Sequence, residues 1–291
     1  MSSLKAGYFY ALGAYITWGF IPLYWKLLSH VRPDHILSHR IVWSLVFYCL
    51  IWFFLFRKPK TKTVWTRHLL MQVVAASLLV CGNWYVYIWS VNSGHVLESS
   101  LGYFINPLVN VLIGFLILKE RLSRSKWVAV ALASCGVLIM ALQVQEIWVS
   151  LFLAITFGFY GLLRKIMKAP AIETSFIETL VLALPALLYA FSLHGESANW
   201  DWTTYALLAF GGVVTGLPLW WFAEAAMRVP LSLLGIFQFI SPTLQFLQAV
   251  LIFHEPFGLV QAVSFGFIWA GLLVFVLDLL RQKPIVIPPV S

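Results

Sequence analysis

The chain has 291 residues, of which 61% are hydrophobic and 10% are charged, and its mean hydropathy is +0.89. This composition excludes an ordinary soluble domain, whose surface needs far more charge, and it predicts a chain that lies mostly within a lipid bilayer. The formal net charge of +8 is compatible with nucleic-acid binding, but the distribution of the basic residues between the loops argues against that function.

Ten apolar runs are long enough to cross a bilayer as α-helices, which takes about 20 residues each. They cover residues 6–28, 35–56, 69–91, 96–118, 126–143, 147–166, 176–193, 203–226, 231–253 and 258–280. If the N-terminus is cytoplasmic, all Lys and Arg residues except Lys26, Arg32 and Arg40 lie on the cytoplasmic side. This bias predicts that both termini are cytoplasmic. Residues 281–291, which are rich in proline, are predicted to form a flexible cytoplasmic tail.

The first two spans each contain one unusual residue. Trp18 lies deep in the first span and is a candidate for the wall of a cavity, whereas Trp25 near its end is typical of an interface anchor. Arg40 lies inside the second span, where a charge costs at least about 3 kcal/mol unless it reaches water or a partner. It is predicted to gate the outer mouth or to meet an anionic group. The spacing of His35 and His39 can hold a metal, but no further ligands accompany them, so no metal site is predicted.

The fourth span carries a polar stripe whose members recur every four residues and therefore share one helical face. They are Glu98, Gly102, Asn106 and Asn110, with Tyr103 and Pro107 beside them. The third span presents a similar face with Asn83, Tyr87 and Ser90. Polar groups in a span face the bundle interior or a water-filled cavity, so the stripe predicts either interhelical hydrogen bonds or a substrate pathway.

The second half of the chain has a comparable pattern. The ninth span carries a second polar stripe with Gln238, Ser241 and Gln245, and Pro242 lies beside it. In the eighth span Trp220 and Glu224 share a face, and Glu224 is predicted either to line a cavity or to pair with Arg228. The seventh span is predicted to begin with a capping box, in which the Glu178 side chain pairs with the backbone of Ser175, and this structural role is favoured over proton carriage by Glu178.

An internal repeat relates the two halves, residues 1–143 and 147–280. One constant offset along the chain aligns Pro107 with Pro242, Glu120 with Glu255 and Gly136 with Gly271, and a slightly longer offset near the start aligns Trp18 with Phe157. Each half has five spans, and an odd number places the second half upside down in the membrane, as in many secondary transporters. The predicted fold class is therefore an all-α integral membrane protein with ten transmembrane helices in two inverted five-helix repeats.

Four segments carry a family resemblance. They are His39-Arg40-Ile41-Val42-Trp43-Ser44, Asn83-Trp84, Ser100-Leu-Gly-Tyr-Phe-Ile-Asn-Pro-Leu-Val-Asn110 and Phe237-Gln-Phe-Ile-Ser-Pro-Thr-Leu244. With the glutamates that close the fourth and ninth spans, they resemble the RarD family, historically named for chloramphenicol sensitivity, in the EamA branch of the drug/metabolite transporter superfamily. The resemblance covers the whole chain. It implies a bacterial inner-membrane exporter of small metabolites or drugs, in which spans three, four, eight and nine, with one and six, surround a central cavity.

The predicted function is secondary transport of a small-molecule substrate by alternating access through a cavity at the repeat interface. The candidate substrate-binding residues are Trp18, Asn83, Tyr87, Glu98, Tyr103, Asn106, Asn110, Trp220, Glu224, Gln238, Ser241 and Gln245, and the candidate gating residues are Arg40, Pro107 and Pro242. The sequence contains neither a Walker motif nor a hydrolase signature, so no catalytic residue and no cofactor is predicted. The expected partners besides the substrate are membrane lipids and not nucleic acid.

Two alternatives remain open at this point. An intramembrane enzyme would need Glu98, His39 or Glu224 to converge on a lipid substrate, and a receptor or scaffold would transport nothing. The oligomeric state is also left open.

Overall fold

The computed structural model describes residues 3–55, 63–93, 95–192, 200–254 and 258–281. Every helix or strand assigned in these ranges is an α-helix, as predicted. The helices are α1 (Ser3–Lys26), α2 (Pro33–Leu55), α3 (Arg67–Asn92), α4 (Val96–Leu116), α5 (Arg124–Ala141), α6 (Ile147–Ile166), α7 (Ala171–Ser192), α8 (Trp202–Arg228), α9 (Leu231–Gln238), α10 (Ile240–Leu251) and α11 (Leu259–Arg281). The predicted tail beyond Arg281 and the aligned residue Glu255 lie outside the described residues.

Nine segments within the described residues are long and apolar enough to cross a membrane, and α9 and α10 together form one of them, Leu231–Leu251. The remaining helix, α1, is of similar length, but its four tyrosines and two tryptophans lower its hydropathy. It packs against α8 and α10 within the bundle. The chain is therefore a multi-pass membrane protein, and the ten predicted spans correspond to these nine segments and α1.

The start of the seventh span differs from the prediction. α7 begins at Ala171, so Ser175 and Glu178 lie inside the helix and the predicted capping box is wrong. Both side chains bind Arg164 of α6 instead. A capping-box sequence was present, but the preceding residues also fit a helix and extend it by one turn.

The ninth predicted span is broken at Phe239 into α9 and α10. Pro242 contributes to the break, because it has no N–H to donate to the carbonyl of Gln238, four residues earlier. Pro107 is the aligned residue in α4, yet α4 continues through it. The Pro107 carbonyl packs closely on α9, since a Cβ at Gly235 would lie 2.6 Å from its oxygen.

Contacts between helix ends define two faces of the bundle. We call the face at which α1 begins the N-terminal face. There Gly7 packs against Val229, and the Lys165 ammonium at the end of α6 donates to the Val229 carbonyl (2.5 Å). We call the opposite face the distal face. There His30 Nε2, in the connection between α1 and α2, lies 2.9 Å from Thr204 Oγ1 at the start of α8.

The segments that follow α4 and α10 have the same backbone conformation. Lys119 and His254 are aligned by the internal repeat, and their φ angles are 55° and 54°. In both segments the N–H of the preceding residue donates to a carbonyl five residues earlier, at 3.2 and 3.0 Å. The sequences aligned by the internal repeat therefore end their helices in the same way.

α5 and α11 pack through one glycine on each helix. A Cβ at Gly136 would lie 2.5 Å from the carbonyl oxygen of Ser264, and a Cβ at Gly271 would lie 2.7 Å from that of Ala129. Ala129 and Ser264 are related by the same repeat offset as the two glycines. The two contacts are therefore reciprocal, and they run in opposite chain directions on the two helices.

We expect Gly271→Ala to lower the free energy of unfolding by about 1–3 kcal/mol, because the added methyl group would force α11 away from the α5 backbone. Gly266→Ala is the matched control on the same helix. Nothing lies within 4 Å of the position of its Cβ, so we expect little change. Thermal melting of both purified variants in one detergent measures the difference. Equal melting temperatures would contradict this account of the α5–α11 contact.

Candidate functional site

A cavity of 430 Å³ lies inside the bundle and extends to Pro33, the first residue of α2, at the distal face. Its volume is typical of small-molecule sites. The wall is formed by α1, α2, α3, α4, α6, α8, α9 and α10. The predicted site residues on this wall are Trp18, Arg40, Asn83, Tyr87, Tyr103, Asn106, Gln238, Ser241, Pro242 and Gln245.

The structure does not bring the other predicted site residues to this wall. They are Glu98, Pro107, Asn110, Trp220 and Glu224. Glu98 Oε1 accepts from two backbone N–H groups just before α6 (3.2 and 3.5 Å), where a helix N-terminus favours a negative charge. Glu224 forms an ion pair with Arg228 and accepts from the indole N–H of Trp220 (3.1 Å). Both carboxylates therefore have structural partners away from the cavity.

An amide cluster, formed by Asn106, Asn110 and Gln238, joins α4 to α9. Asn110 Nδ2 donates to Asn106 Oδ1 (3.1 Å) and to Gln238 Oε1 (2.8 Å). Asn110 is 0% exposed and lies behind the wall, whereas its two partners lie on it. The polar stripe of α4 thus makes interhelical hydrogen bonds and also lines the cavity, so the two interpretations of the stripe are compatible.

The two polar stripes donate hydrogen bonds to backbone carbonyls at positions that are equivalent in the internal repeat. Asn106 Nδ2 donates to the Ala154 carbonyl of α6 (2.8 Å), and Ser241 Oγ donates to the Tyr15 carbonyl of α1 (2.7 Å). The two donors are aligned by the main offset of the internal repeat, and the two acceptors are aligned by the longer offset found near its start. Each stripe therefore links its own helix to the first helix of the other half.

Arg40 has an aromatic environment that the sequence analysis did not predict. Its guanidinium carbon lies 5.0 Å from the ring centroid of Trp25 and 5.1 Å from that of Trp84, and its Nε donates to Thr215 Oγ1 (2.9 Å). The wall thus includes Trp25, which the sequence predicted only as an interface anchor. It also includes α2, which is not among the spans that the family resemblance implied. The contact of Thr215 with α2 could have been inferred from its position between Gly212 and Gly216, because these two glycines let α8 approach α2 closely.

Comparison with known proteins identifies the family. Residues 5–142 and 145–277 each match the model of the EamA-like transporter family. The chain belongs to this family. It is 45% identical over 287 residues to the uncharacterized transporter YojE of Bacillus subtilis, covering 96% of both chains. It is 40% identical over 286 residues to RarD of Escherichia coli, covering 94% of this chain and 95% of that protein.

The structure also superposes on a solved crystal structure with a TM-score of 0.75, and the match covers 96% of this chain and 100% of the other. The sequence identity is 15%, so this likeness shows the fold alone. The predicted resemblance to the RarD family of EamA-type transporters is confirmed, and the chain is a membrane transporter of the EamA family.

In this EamA-family transporter the N-terminal face is held by a carboxylate at the start of α9. Glu120 Oε1 accepts from the Leu231 N–H (2.7 Å), and Oε2 accepts from the N–H (2.9 Å) and hydroxyl (2.6 Å) of Ser232. These bonds satisfy N–H groups at a helix start that has no side-chain cap of its own. The internal repeat drew attention to Glu120, but it did not predict the contact with Leu231, which lies 111 residues away in the chain.

A buried ion pair that the sequence analysis missed joins α6 to α7 in this EamA-family transporter. Arg164 Nη1 lies 2.7 Å from Glu178 Oε1, and the two side chains are 1% and 7% exposed. The Tyr160 hydroxyl donates to the other carboxylate oxygen (3.3 Å). Arg164 was counted with the cytoplasmic-side charges because it precedes Lys165 at the end of an apolar run. Its charge is instead neutralised inside the protein.

Proposed function

We propose that this EamA-family transporter is a secondary transporter of the bacterial inner membrane that exports small metabolites or amphiphilic drugs by alternating access. The observation that carries the proposal is the 430 Å³ cavity, which extends to the distal face while hydrogen bonds join the helix ends at the N-terminal face. Alternating access requires a central site that is open to one side at a time. The arrangement fits a state that is open at the distal face.

The halves, residues 1–143 and 147–280, are proposed to be inverted repeats. The reciprocal contacts of Gly136 and Gly271 support this arrangement, because helices related by a two-fold axis in the membrane plane meet in opposite directions. Trp18 and Phe157, which are aligned by the repeat, also contact each other on the cavity wall with ring centroids 5.8 Å apart. Contacts between equivalent residues are expected close to such an axis.

The N-terminal face is proposed to be cytoplasmic. Of the basic residues assigned to a side by sequence, Lys26, Arg32 and Arg40 alone belong to the distal side, and the excess of positive charge on the other side favours the cytoplasm. The cavity would then face outward, which is the state from which an exporter releases its substrate.

The positions of the three residues that an intramembrane enzyme would need favour transport over an enzyme that acts on a lipid. Glu98 lies in the first turn of α4 at the distal end, whereas Glu224 lies near the end of α8 at the N-terminal face. His39 packs against the ring of Trp200 near the distal face, with centroids 5.9 Å apart. These three side chains do not converge on one site.

Flux through the reconstituted protein tests the proposal. Chloramphenicol is the chosen solute because the RarD family is named for sensitivity to it. We expect vesicles that contain the protein to exchange radiolabelled chloramphenicol faster than protein-free vesicles, with no covalent change in the solute. A chemically altered product would favour an enzyme, and equal rates in both kinds of vesicle would contradict drug transport.

Two amide variants distinguish a residue that binds substrate at the cavity wall from one that stabilises the helix packing behind it. We expect Gln245→Ala to weaken the apparent affinity for chloramphenicol by about 1–3 kcal/mol, because the wall loses an amide oxygen that accepts no hydrogen bond from the described residues. Melting should change little, since water in the cavity can replace the bond from Gln245 Nε2 to the Trp18 carbonyl. We expect Asn110→Ala to lower stability by about 1–3 kcal/mol instead, because Asn106 Oδ1 and Gln238 Oε1 lose their buried donor.

Flux assays and detergent melting of both variants measure the contrast. If Gln245→Ala melts at a much lower temperature while its apparent affinity is unchanged, the polar side chains on the wall are interhelical links and do not bind substrate.

A further inference from the structure

Arg40 alone carries a charge among the described residues on the cavity wall. No carboxylate within the described ranges forms an ion pair with it. A cation at this depth in a bilayer is costly without a partner. The nearby rings of Trp25 and Trp84 compensate only part of that cost, because a cation–π contact is weaker than an ion pair with a carboxylate.

The hydrogen bond from Arg40 Nε to Thr215 Oγ1 (2.9 Å) orients the guanidinium. The two terminal nitrogens make no hydrogen bond to any described residue. Together these nitrogens form the planar edge with which arginine binds a carboxylate through two parallel hydrogen bonds. A guanidinium held by its Nε and by two aromatic rings is prepared for such a ligand before the ligand arrives.

We propose that the preferred ligand of the cavity is a carboxylate monoanion with an aromatic or apolar body, and that its carboxylate binds Arg40. A neutral amphiphile such as chloramphenicol would occupy the same wall without this contact and bind more weakly. This inference rests on the proposed transport function and names the substrate class of the same cavity. The carboxylate oxygens would accept from the two terminal nitrogens of Arg40, and the body would lie deeper, between the two halves.

The rest of the wall supports an apolar body. Trp18, Phe157 and Leu153 line the cavity on α1 and α6. Three of the four amide groups on the wall, those of Asn83, Asn106 and Gln245, already donate to backbone carbonyls (2.8, 2.8 and 3.0 Å). The fourth donor, Gln238 Nε2, is neutral and therefore a weaker partner for an anion than a guanidinium. Arg40 is therefore the strongest donor left for an anionic group on a ligand.

The single positive charge decides between kinds of anion. A carboxylate carries one negative charge, which Arg40 neutralises. A phosphate monoester carries a charge of about −1.5 to −2 at neutral pH, so it would bring an unpaired negative charge into the bilayer interior. A dicarboxylate would have the same disadvantage.

Binding of three compounds with the same phenylpropyl body tests the inference. They are 3-phenylpropionate, 3-phenylpropan-1-ol and 3-phenylpropylamine, which are anionic, neutral and cationic at neutral pH. Titration calorimetry on the purified full-length protein measures each affinity. We expect the anion to bind at least about tenfold more tightly than the alcohol, and the amine to bind most weakly. This comparison needs no variant, so it does not depend on the folding of one.

Two substitutions of Arg40 locate the preference. Arg40→Gln should bind the anion and the alcohol with affinities within about threefold of each other, and Arg40→Lys should keep part of the preference because it keeps the charge but loses the planar fork. Arg32→Gln is the matched control at the same face. Arg32 is exposed and paired with Asp34 (2.5 Å), so the preference for the anion should persist.

The outcomes separate this inference from the proposed function. Equal binding of the three compounds, or a preference that persists in Arg40→Gln, would overturn the inference. If chloramphenicol flux depends on the protein while the anion shows no preference, the transporter proposal stands and the carboxylate inference is wrong. If the anion binds through Arg40 but no solute crosses the vesicles, the binding site stands and the transport proposal is wrong.

Discussion

Glu178→Ala is expected to lower the free energy of unfolding by roughly 3–5 kcal/mol, because it leaves the Arg164 guanidinium buried without its counter-charge. Arg164 binds four groups in a space from which solvent is excluded. They are Glu178 Oε1 (2.7 Å), Thr174 Oγ1 (2.7 Å), Ser175 Oγ (2.5 Å) and the Ala171 carbonyl (3.2 Å). The three neutral groups that remain cannot balance the positive charge. Thermal and denaturant melting in detergent measures the loss.

A double variant and an exposed pair are the controls for this prediction. Arg164→Met combined with Glu178→Leu removes both charges, so it should lose less stability than Glu178→Ala alone. Arg32→Ala breaks an ion pair in which the arginine side chain is 54% exposed, and it should change stability by less than about 1 kcal/mol. If Glu178→Ala melts like Arg32→Ala, the buried pair does not hold α6 to α7.

Glu120→Ala is expected to open the N-terminal face by weakening the start of α9. The substitution removes three hydrogen bonds to a carboxylate, and each such bond is worth about 1.5–3 kcal/mol. Loss of the equivalent of one of them shifts an equilibrium about tenfold, since tenfold corresponds to about 1.4 kcal/mol. We therefore expect a population in which the helix ends at this face have separated.

Thiol labelling measures the opening at the N-terminal face. Ala226→Cys places a small reporter at a position that is 0% exposed beside the end of α6, in a background in which Cys49, Cys81 and Cys135 are replaced. Labelling should be at least about tenfold faster when Glu120→Ala is present. Glu146→Ala is the control, because Glu146 is an exposed carboxylate at the distal face whose side chain makes no cap hydrogen bond. Unchanged labelling in Glu120→Ala would show that this carboxylate does not keep the face closed.

The membrane location, the helices and the polar helix faces could be predicted from the sequence, because each depends on residues that are close together in the chain. An apolar run of about 20 residues forms a helix in lipid whatever surrounds it. The span predicted at 147–166 is therefore observed as Ile147–Ile166. The spacing of polar residues defines one face of a helix, and this spacing alone predicts Asn106, Ser241 and Gln245, which line the cavity.

Helical spacing defines a face but not a depth or a neighbour. Glu98 and Asn106 share a stripe, yet Glu98 lies two turns nearer the distal face and meets the start of α6 instead of the cavity. The sequence could not distinguish them, because the position of α6 against α4 is set by packing along the whole length of both helices.

The buried ion pair of Arg164 and the surroundings of Arg40 depended on the tertiary structure for the same reason. Arg164 and Lys165 are adjacent and look alike in sequence, but they point about 100° apart on α6. One therefore meets Glu178 of α7, and the other meets the Val229 carbonyl after α8. Their partners lie 14 and 64 residues away in the chain, and Thr215, which orients Arg40, lies 175 residues away. The sequence by itself determined which side chains are polar within the membrane and which helix faces they share. Only the packing of helices from both halves decided which of them are paired with one another and which, like Arg40, face the cavity.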